Sequence, residues 1–285
     1  MYRLLKSVGG QGMGKIIYDQ PAADYFAEKA LNNTSIGYIL ECPALYKAHQ
    51  TMEETPSKAF LLGSLLHAMV LEPDKVAERY AVCQYPGTTK AGKEERKALA
   101  EKGITAFSGE DWSQAQSMAG SLLTTCPATA KLLSLAGKSE VSLYWEETVE
   151  DKPLPCKARV DRLAQLSDGS WVAIDLKTTA DTVKPSELAR KAYNYGYHRQ
   201  AAWYTRGLRA CGIEAPFIFC FVSKQAPYLV TPLSFTADAL ALGDDQCMRA
   251  CRTLIHCQED DEWPAYTTGI YEVDLPEWAY YQAAK

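Results

Sequence analysis

The stretch Ala173-Ile174-Asp175-Leu176-Lys177 is the one on which the fold turns. Its period-two alternation predicts a strand with Ala173, Asp175 and Lys177 on one face and Ile174 and Leu176 on the other, so a carboxylate and an ammonium point into the same space. Taken alone, Asp-x-Lys is also what a salt-bridged, solvated strand face would produce. Upstream, Ala158-Arg159-Val160-Asp161 ends another apolar alternation, and the turn signal Ser167-Asp168-Gly169 leads the chain back to Asp175. The hairpin brings a second carboxylate towards the first. Hard divalent ions such as Mg²⁺ take a few carboxylates together with water and phosphate oxygens, and these residues supply that set.

Working outward, Val141 and Leu143 open a three-strand meander that continues over 156–163 and 171–176. Before it, Ser57 caps a helix over 58–71 that Glu72-Pro73 closes, with Leu61, Leu62, Leu65 and Ala68 as its apolar face. His67 falls inside this apolar helix, where an imidazole needs a partner such as a metal or a carboxylate. The run 90–102, rich in Lys, Glu and Ala, reads as an exposed helix or mobile loop, and 111–136 as helical with an interruption near Pro127. After the meander, a helix starting near Pro185 carries Leu188, Ala192, Gln200, Tyr204 and Leu208. Gln200 and Tyr204, four residues apart, share a face. Strands over 217–222 and 228–235 and a helix over 236–257 complete an α/β order that predicts a mixed central sheet flanked by helices.

Composition sets the outer limits. With 285 residues, 47% of them hydrophobic and 23% charged, the chain is neither disordered, collagen-like nor a coiled coil. A net charge of −5 excludes a protein that coats nucleic acid. The charge is uneven, however: residues 1–150, 151–210 and 211–285 carry −3, +5 and −7, which sum to −5. The basic segment interleaves Arg190, Lys191, Arg199, Arg206 and Arg209 with Tyr193, Tyr195, Tyr197 and Trp203, as a phosphate-facing surface would.

Nine cysteines without short-loop spacing read as reduced thiols of a cytoplasmic protein. The start has no signal-peptide pattern, and the most apolar run, 59–71, is well short of the roughly 20 residues a membrane span needs. The run from Gly9 to Lys15 meets seven positions of a P-loop but has Ile16 where a Ser or Thr must ligate Mg²⁺. It is read as a flexible leader within 1–34, ahead of a domain over 35–285.

Several blocks resemble a known set when taken together. These are Gly63-Ser64-Leu65-Leu66-His67 with Leu71-Glu72-Pro73; Ala158-Arg159-Val160-Asp161-Arg162; Ile174-Asp175-Leu176-Lys177-Thr178-Thr179; the run from Tyr195 to Tyr204; and Glu262-Trp263-Pro264-Ala265-Tyr266. Over about 35–280 they are similar, in collinear order, to the RecE-type exonucleases of the PD-(D/E)XK superfamily: exodeoxyribonuclease VIII and its phage relatives. The resemblance implies a PD-(D/E)XK restriction-endonuclease-like core. It also implies a Mg²⁺-dependent exonuclease, with Mn²⁺ able to substitute, that degrades linear double-stranded DNA from 5′ to 3′. A ring-like homo-oligomer, a single-strand annealing partner of the RecT type and a bacterial or phage-infected cytoplasm come with it.

Carried over by residue, the resemblance makes His67, Asp161, Asp175 and the Leu176 carbonyl metal ligands. Lys177 would orient or activate the attacking water and stabilise charge, and Gln200 and Tyr204 would position the scissile phosphate or brace Lys177. Lys157, Arg159 and Arg162 are candidates for DNA phosphates, which favour Lys and Arg. Glu140 matches an acidic position of the family pattern but reads as a strand-end cap or surface charge.

Two alternatives share the core. Nucleases of the Cas4 and AddB type add four cysteines that hold an iron–sulfur cluster, and Cys42, Cys247, Cys251 and Cys257 fall in that order. Their C-x3-C-x5-C spacing departs from the C-x2-C start of the cluster pattern, so core packing is the expectation and no cluster. A catalytically silent DNA-binding scaffold of the same fold is opposed by intact Asp161, Asp175 and Lys177.

Overall fold

The computed structural model describes residues 14–52 and 55–283. In chain order, β1 (Lys15–Ile17) is followed by α1 (Ala22–Ala27), α2 (Asn33–Glu41), α3 (Pro43–His49), α4 (Lys58–Leu71) and α5 (Val76–Arg79). Next come β2 (Tyr80–Val82), α6 (Lys90–Ala100), β3 (Thr105–Phe107), α7 (Gly109–Thr124) and α8 (Pro127–Ser134). The meander is β4 (Gly137–Val149), β5 (Lys152–Gln165) and β6 (Trp171–Thr179). After it run α9 (Pro185–Asn194), α10 (Tyr197–Ala210), β7 (Phe217–Ser223), β8 (Val230–Leu233), α11 (Ala237–Asp260) and α12 (Glu277–Ala283).

Six strands form one mixed sheet in the order β1-β4-β5-β6-β7-β8, and β2 pairs with β3 apart from it. Within the sheet only β6 and β7 run parallel, and the long crossover that a parallel pair requires is the α9–α10 unit. Local chemistry starts the helices where the sequence suggests. The hydroxyls of Ser57, Ser108 and Thr236 accept from the amides of Phe60, Asp111 and Ala239, and Pro127 and Pro185 occupy first-turn positions.

The sheet separates two apolar layers. On one face Ala173, Phe219 and Phe221 pack with Trp203 of α10 and with Cys247, Cys251 and Leu254 of α11. On the other, Ile174, Leu176, Cys220 and Val222 pack with Leu62, Leu65 and Leu66 of α4 and Met118 and Leu122 of α7. The alternation read from residues 173–177 therefore gives the correct faces. The buried stripe of α4 is turned slightly from the predicted one, with Leu66 and Leu71 inside and Leu61 half-buried, because α4 packs on α7 as well as on the sheet.

Two departures matter for the site. The single helix predicted from Pro185 is broken at Gly196, whose φ of 67° is a left-handed conformation open to glycine, so α10 leaves in a new direction. The segment expected as a leader is, from Lys15 onward, packed on the sheet. Lys15, Ile16 and Ile17 pair with Tyr144, Leu143 and Ser142, and Leu31 exchanges backbone hydrogen bonds with Pro155 and Lys157. The first part of the P-loop-like run, Gly9 to Met13, lies outside the described residues. At Gly14 a Cβ would stand 2.6 Å from the Ala210 carbonyl oxygen, so glycine is needed there for close approach to the end of α10.

Candidate active site

The site lies where two paired strands part. β5 and β6 are antiparallel from Gln165↔Trp171 to Arg162↔Ile174, and the next step of that register would set Asp161 opposite Asp175. The ladder ends there, while β6 continues beside β7 as far as Thr179. Side chains then meet the backbone groups that β5 no longer serves. The Leu176 N–H donates to Asp161 Oδ2 at 2.8 Å, and the Leu176 carbonyl lies 3.0 Å from His67 Nε2. A carbonyl can only accept, so Nε2 carries the proton. In the neutral ring Nδ1 then keeps its lone pair, 3.4 Å from Asp161 Oδ2.

Glu140 completes this side of the fork. In the β4–β5 register Ser139 faces Arg162 and Val141 faces Val160, so Glu140 stands across from Asp161 at the one unpaired step between them. Its φ of 53° is a left-handed conformation that costs a non-glycine residue on the order of 1–2 kcal/mol and persists where surroundings hold it. Arg159 provides that hold, its Nε 2.6 Å from Glu140 Oε2. Ligand atoms of His67, Glu140 and Asp161 all lie within 4.8 Å of one another, the one such group among the described residues. By sequence Glu140 matches an acidic position of the family pattern but reads as a strand-end cap or surface charge and not as a ligand. Its role depends on a cross-strand register, which the local pattern around residue 140 does not encode.

On the α10 side, Asp175 is buried and held from two directions. Gln200 Nε2 donates to its Oδ2 at 2.7 Å, and Lys177 Nζ stands 2.5 Å from its Oδ1 as an ion pair. The Tyr197 and Phe219 rings wall the ammonium at 5.4 and 5.6 Å. Tyr204, one turn beyond Gln200, packs edge-on to Phe217. Its phenol is pushed well up by burial and by nearby Tyr25, Asp175 and Asp161, which keeps it neutral. Burial, and next the Asp175 carboxylate, push Asp161 up to about 7 against the opposing pull of His67 and Lys177. For Lys177 burial acts downward, but Asp175 and Asp161 outweigh it and hold the group raised, as an ammonium.

The basic residues expected on DNA are turned inward. Lys157 Nζ donates to the carbonyls of Tyr25 and Glu28 at the end of α1. Arg162 donates to the Leu135 carbonyl at the end of α8 and to Ser139 Oγ. Helix C-termini attract cations, and β5 passes beneath two of them. Arg159 is taken by Glu140 and the Gln20 carbonyl. Further along, Arg190, Lys191, Arg206 and Arg209 pair with Glu187, Asp181, Glu147 and Glu214, with Asp244 also on Arg206, so most of the basic segment is neutralised locally.

All nine cysteines are free. Burial pushes the thiols of Cys247 and Cys251 up, away from the thiolate form a cluster ligates, and Cys42 Sγ donates to the Pro264 carbonyl.

The residues present fit a divalent cation. One imidazole lone pair and two carboxylates converge, and the charge on Asp161 is opposed by burial and by a second carboxylate that a cation would offset. The Leu176 carbonyl already accepts from His67 and has one lone pair left for such an ion.

Comparison with known proteins places the chain in a family and shows its fold. Residues 33–273 match the family described as PDDEXK-like domain of unknown function (DUF3799). The chain belongs to this family. A sequence search of curated proteins found no match. Among solved structures, a candidate exonuclease from Eubacterium rectale superposes with a TM-score of 0.61 at 15% identity, over 92% of this chain and 98% of that one, and shows the shared fold. Two further structures align with TM-scores too low to carry argument: SSO0001 (0.32; 15% identity, 78% of this chain and 84% of that one) and Rai1 of Scheffersomyces stipitis (0.28; 11%, 84% and 76%). The described residues contain no helix long and apolar enough to cross a membrane.

Proposed function

We propose that the protein is a metal-dependent nuclease: an exonuclease that degrades linear double-stranded DNA from 5′ to 3′ and leaves 3′ single strands for a RecT-type annealing partner. The observation that carries the nuclease reading is the β5–β6 fork, where Asp161 and His67 bind the freed backbone of Leu176 while the buried Asp175 pairs with the partly buried Lys177 beside them. Mg²⁺, or Mn²⁺ in its place, would be held by His67, Glu140, Asp161 and Asp175 and would supply neutralisation of phosphoryl charge and a more acidic water.

The chain's own groups do the rest. Lys177, fixed as an ammonium, stabilises negative charge that develops on the phosphate and keeps its place without reorganising. Gln200 orients Asp175, and Arg159 orients Glu140. Polarity, a ring-like homo-oligomer around DNA and residence in a bacterial or phage-infected cytoplasm rest on the resemblance to RecE-type enzymes.

The test uses linear duplex labelled at the 5′ or the 3′ end, with Mg²⁺ or with chelator. Loss of the 5′ label first, in Mg²⁺ alone, is the expected result. Degradation that persists in chelator defeats the metal assignment, and earlier loss of the 3′ label reverses the polarity.

A further inference from the structure

Most of the basic residues of 151–210 are paired with acids or carbonyls, and Arg199 is an exception. Its guanidinium has no hydrogen-bond or ion-pair partner among the described residues, although its Nε is buried. Leaving a buried charged donor unmet is costly, so such a group marks a place where a ligand belongs. The guanidinium lies in a cleft of about 430 Å³ with His198, Asn194, Gln246, Arg249 and the Tyr193 ring, and among the described residues no carboxylate lines it.

His198 is 4% exposed and stacks on Tyr193. Its Nε2 is 3.0 Å from Gln246 Oε1, and its Nδ1 is buried without a partner. Arg249 is exposed and likewise unpaired among the described residues. The first turn of α10 also borders the cleft, and its cap residue, Gly196, has no side chain to satisfy the leading amides. Two glycines let α2 and α11 approach these residues closely: at Gly37 of α2 a Cβ would stand 3.1 Å from an Arg199 nitrogen, and at Gly243 of α11 it would stand 2.6 Å from the His198 carbonyl oxygen.

We infer that this cleft is a phosphate subsite for the backbone of the DNA strand, an assignment that rests on the nuclease reading. Two guanidiniums, side-chain amides and a helix N-terminus suit a phosphodiester. One helical turn serves both places. Tyr197 faces Lys177 and Gln200 holds Asp175, while His198 and Arg199 between them face α2 and α11. The cleft and Lys177 thus lie on the two sides of one helix, on the order of 10 Å across, a distance covered by about three nucleotides at roughly 3.4 Å of rise each.

The experiment measures fluorescence anisotropy of a labelled duplex across a salt series, in a Lys177→Ala background that removes cleavage. Adding Arg249→Gln, on an exposed side chain that does not threaten folding, is expected to weaken binding about tenfold and to lower the slope of log affinity against log salt by about 1. Arg199→Gln should do the same, and the pair should lower the slope by about 2. Unchanged affinity and slope in both variants would overturn the subsite while leaving the nuclease reading intact. So would a cleft that binds inorganic phosphate, read as an Arg249-dependent rise in melting temperature, with DNA binding unaltered. A Lys177→Ala parent that fails to bind duplex at all would instead remove the nuclease reading, and the subsite with it.

Discussion

Asp161→Asn should stabilise the metal-free protein, and by an amount that depends on pH. In the unfolded chain this carboxyl titrates near 3.8; in the fork, burial and the neighbouring Asp175 push it up to about 7. The folded state therefore holds a proton that the unfolded state has released between these values, and stability falls as pH rises through the interval. From 3.8 to about 7 is about 3 units, which at about 1.36 kcal/mol each gives a penalty of up to about 4 kcal/mol, complete above pH 7. Asparagine keeps an oxygen to accept the Leu176 N–H and has nothing to titrate. In chelator at pH 8 the variant should exceed the wild type by up to that amount in urea denaturation followed by tryptophan fluorescence, and by less than half of it at pH 5. Mg²⁺ or Mn²⁺ at pH 8 should stabilise the wild type and narrow the difference, since an ion that binds the folded state offsets the same charge. A gain equal at pH 5 and pH 8, or a variant less stable than the wild type at pH 8, would refute the account of the fork as a site of unrelieved negative charge.

Three further outcomes are expected. Lys177→Ala should lower the rate of duplex cleavage by at least about 100-fold with the fold retained by circular dichroism; near-normal turnover would remove Lys177 from the chemistry. Arg159→Ala should weaken Mn²⁺ binding by about 10- to 100-fold in a calorimetric titration, because the carboxylate of Glu140 loses its anchor, and unaltered affinity would show that Glu140 needs no such support. Gly207→Ala places a Cβ 2.6 Å from the Trp145 ring, which already packs against Trp203. It should cost about 1–3 kcal/mol, and an unchanged melting temperature would mean that the Trp145–Trp203 contact is loose.

The elements legible in the sequence are those whose cause is local. Ser57, Ser108 and Thr236 mark helix starts because a side chain bonds an amide three residues on, and the faces of 173–177 follow from strand pleat. Gly196 carried no such mark, since a glycine within a helical pattern tells of a break only when its φ is known. The short edge strand Lys15–Ile17 was missed for the related reason that three residues exist as a strand only through pairing with β4. The central charge excess that reads as a phosphate-facing surface is mostly met by acids within the fold, with Arg199 an exception among the described residues. Arg206 meets Glu147 from β4 and Asp244 from α11, partners remote in the chain that a segment count cannot see.

The sequence by itself determined the chemical inventory of the candidate site, with Asp161, Asp175, Lys177 and His67 on their strands and helix, because alternation and capping are set by neighbours a few residues away. Tertiary structure decided how that inventory is deployed. It brought Glu140 to His67 and Asp161, turned Lys157, Arg159 and Arg162 inward and left Arg199 without a partner among the described residues, beside the first turn of α10. Cross-strand register and helix-end contacts join residues far apart in the chain, and only folding makes them neighbours.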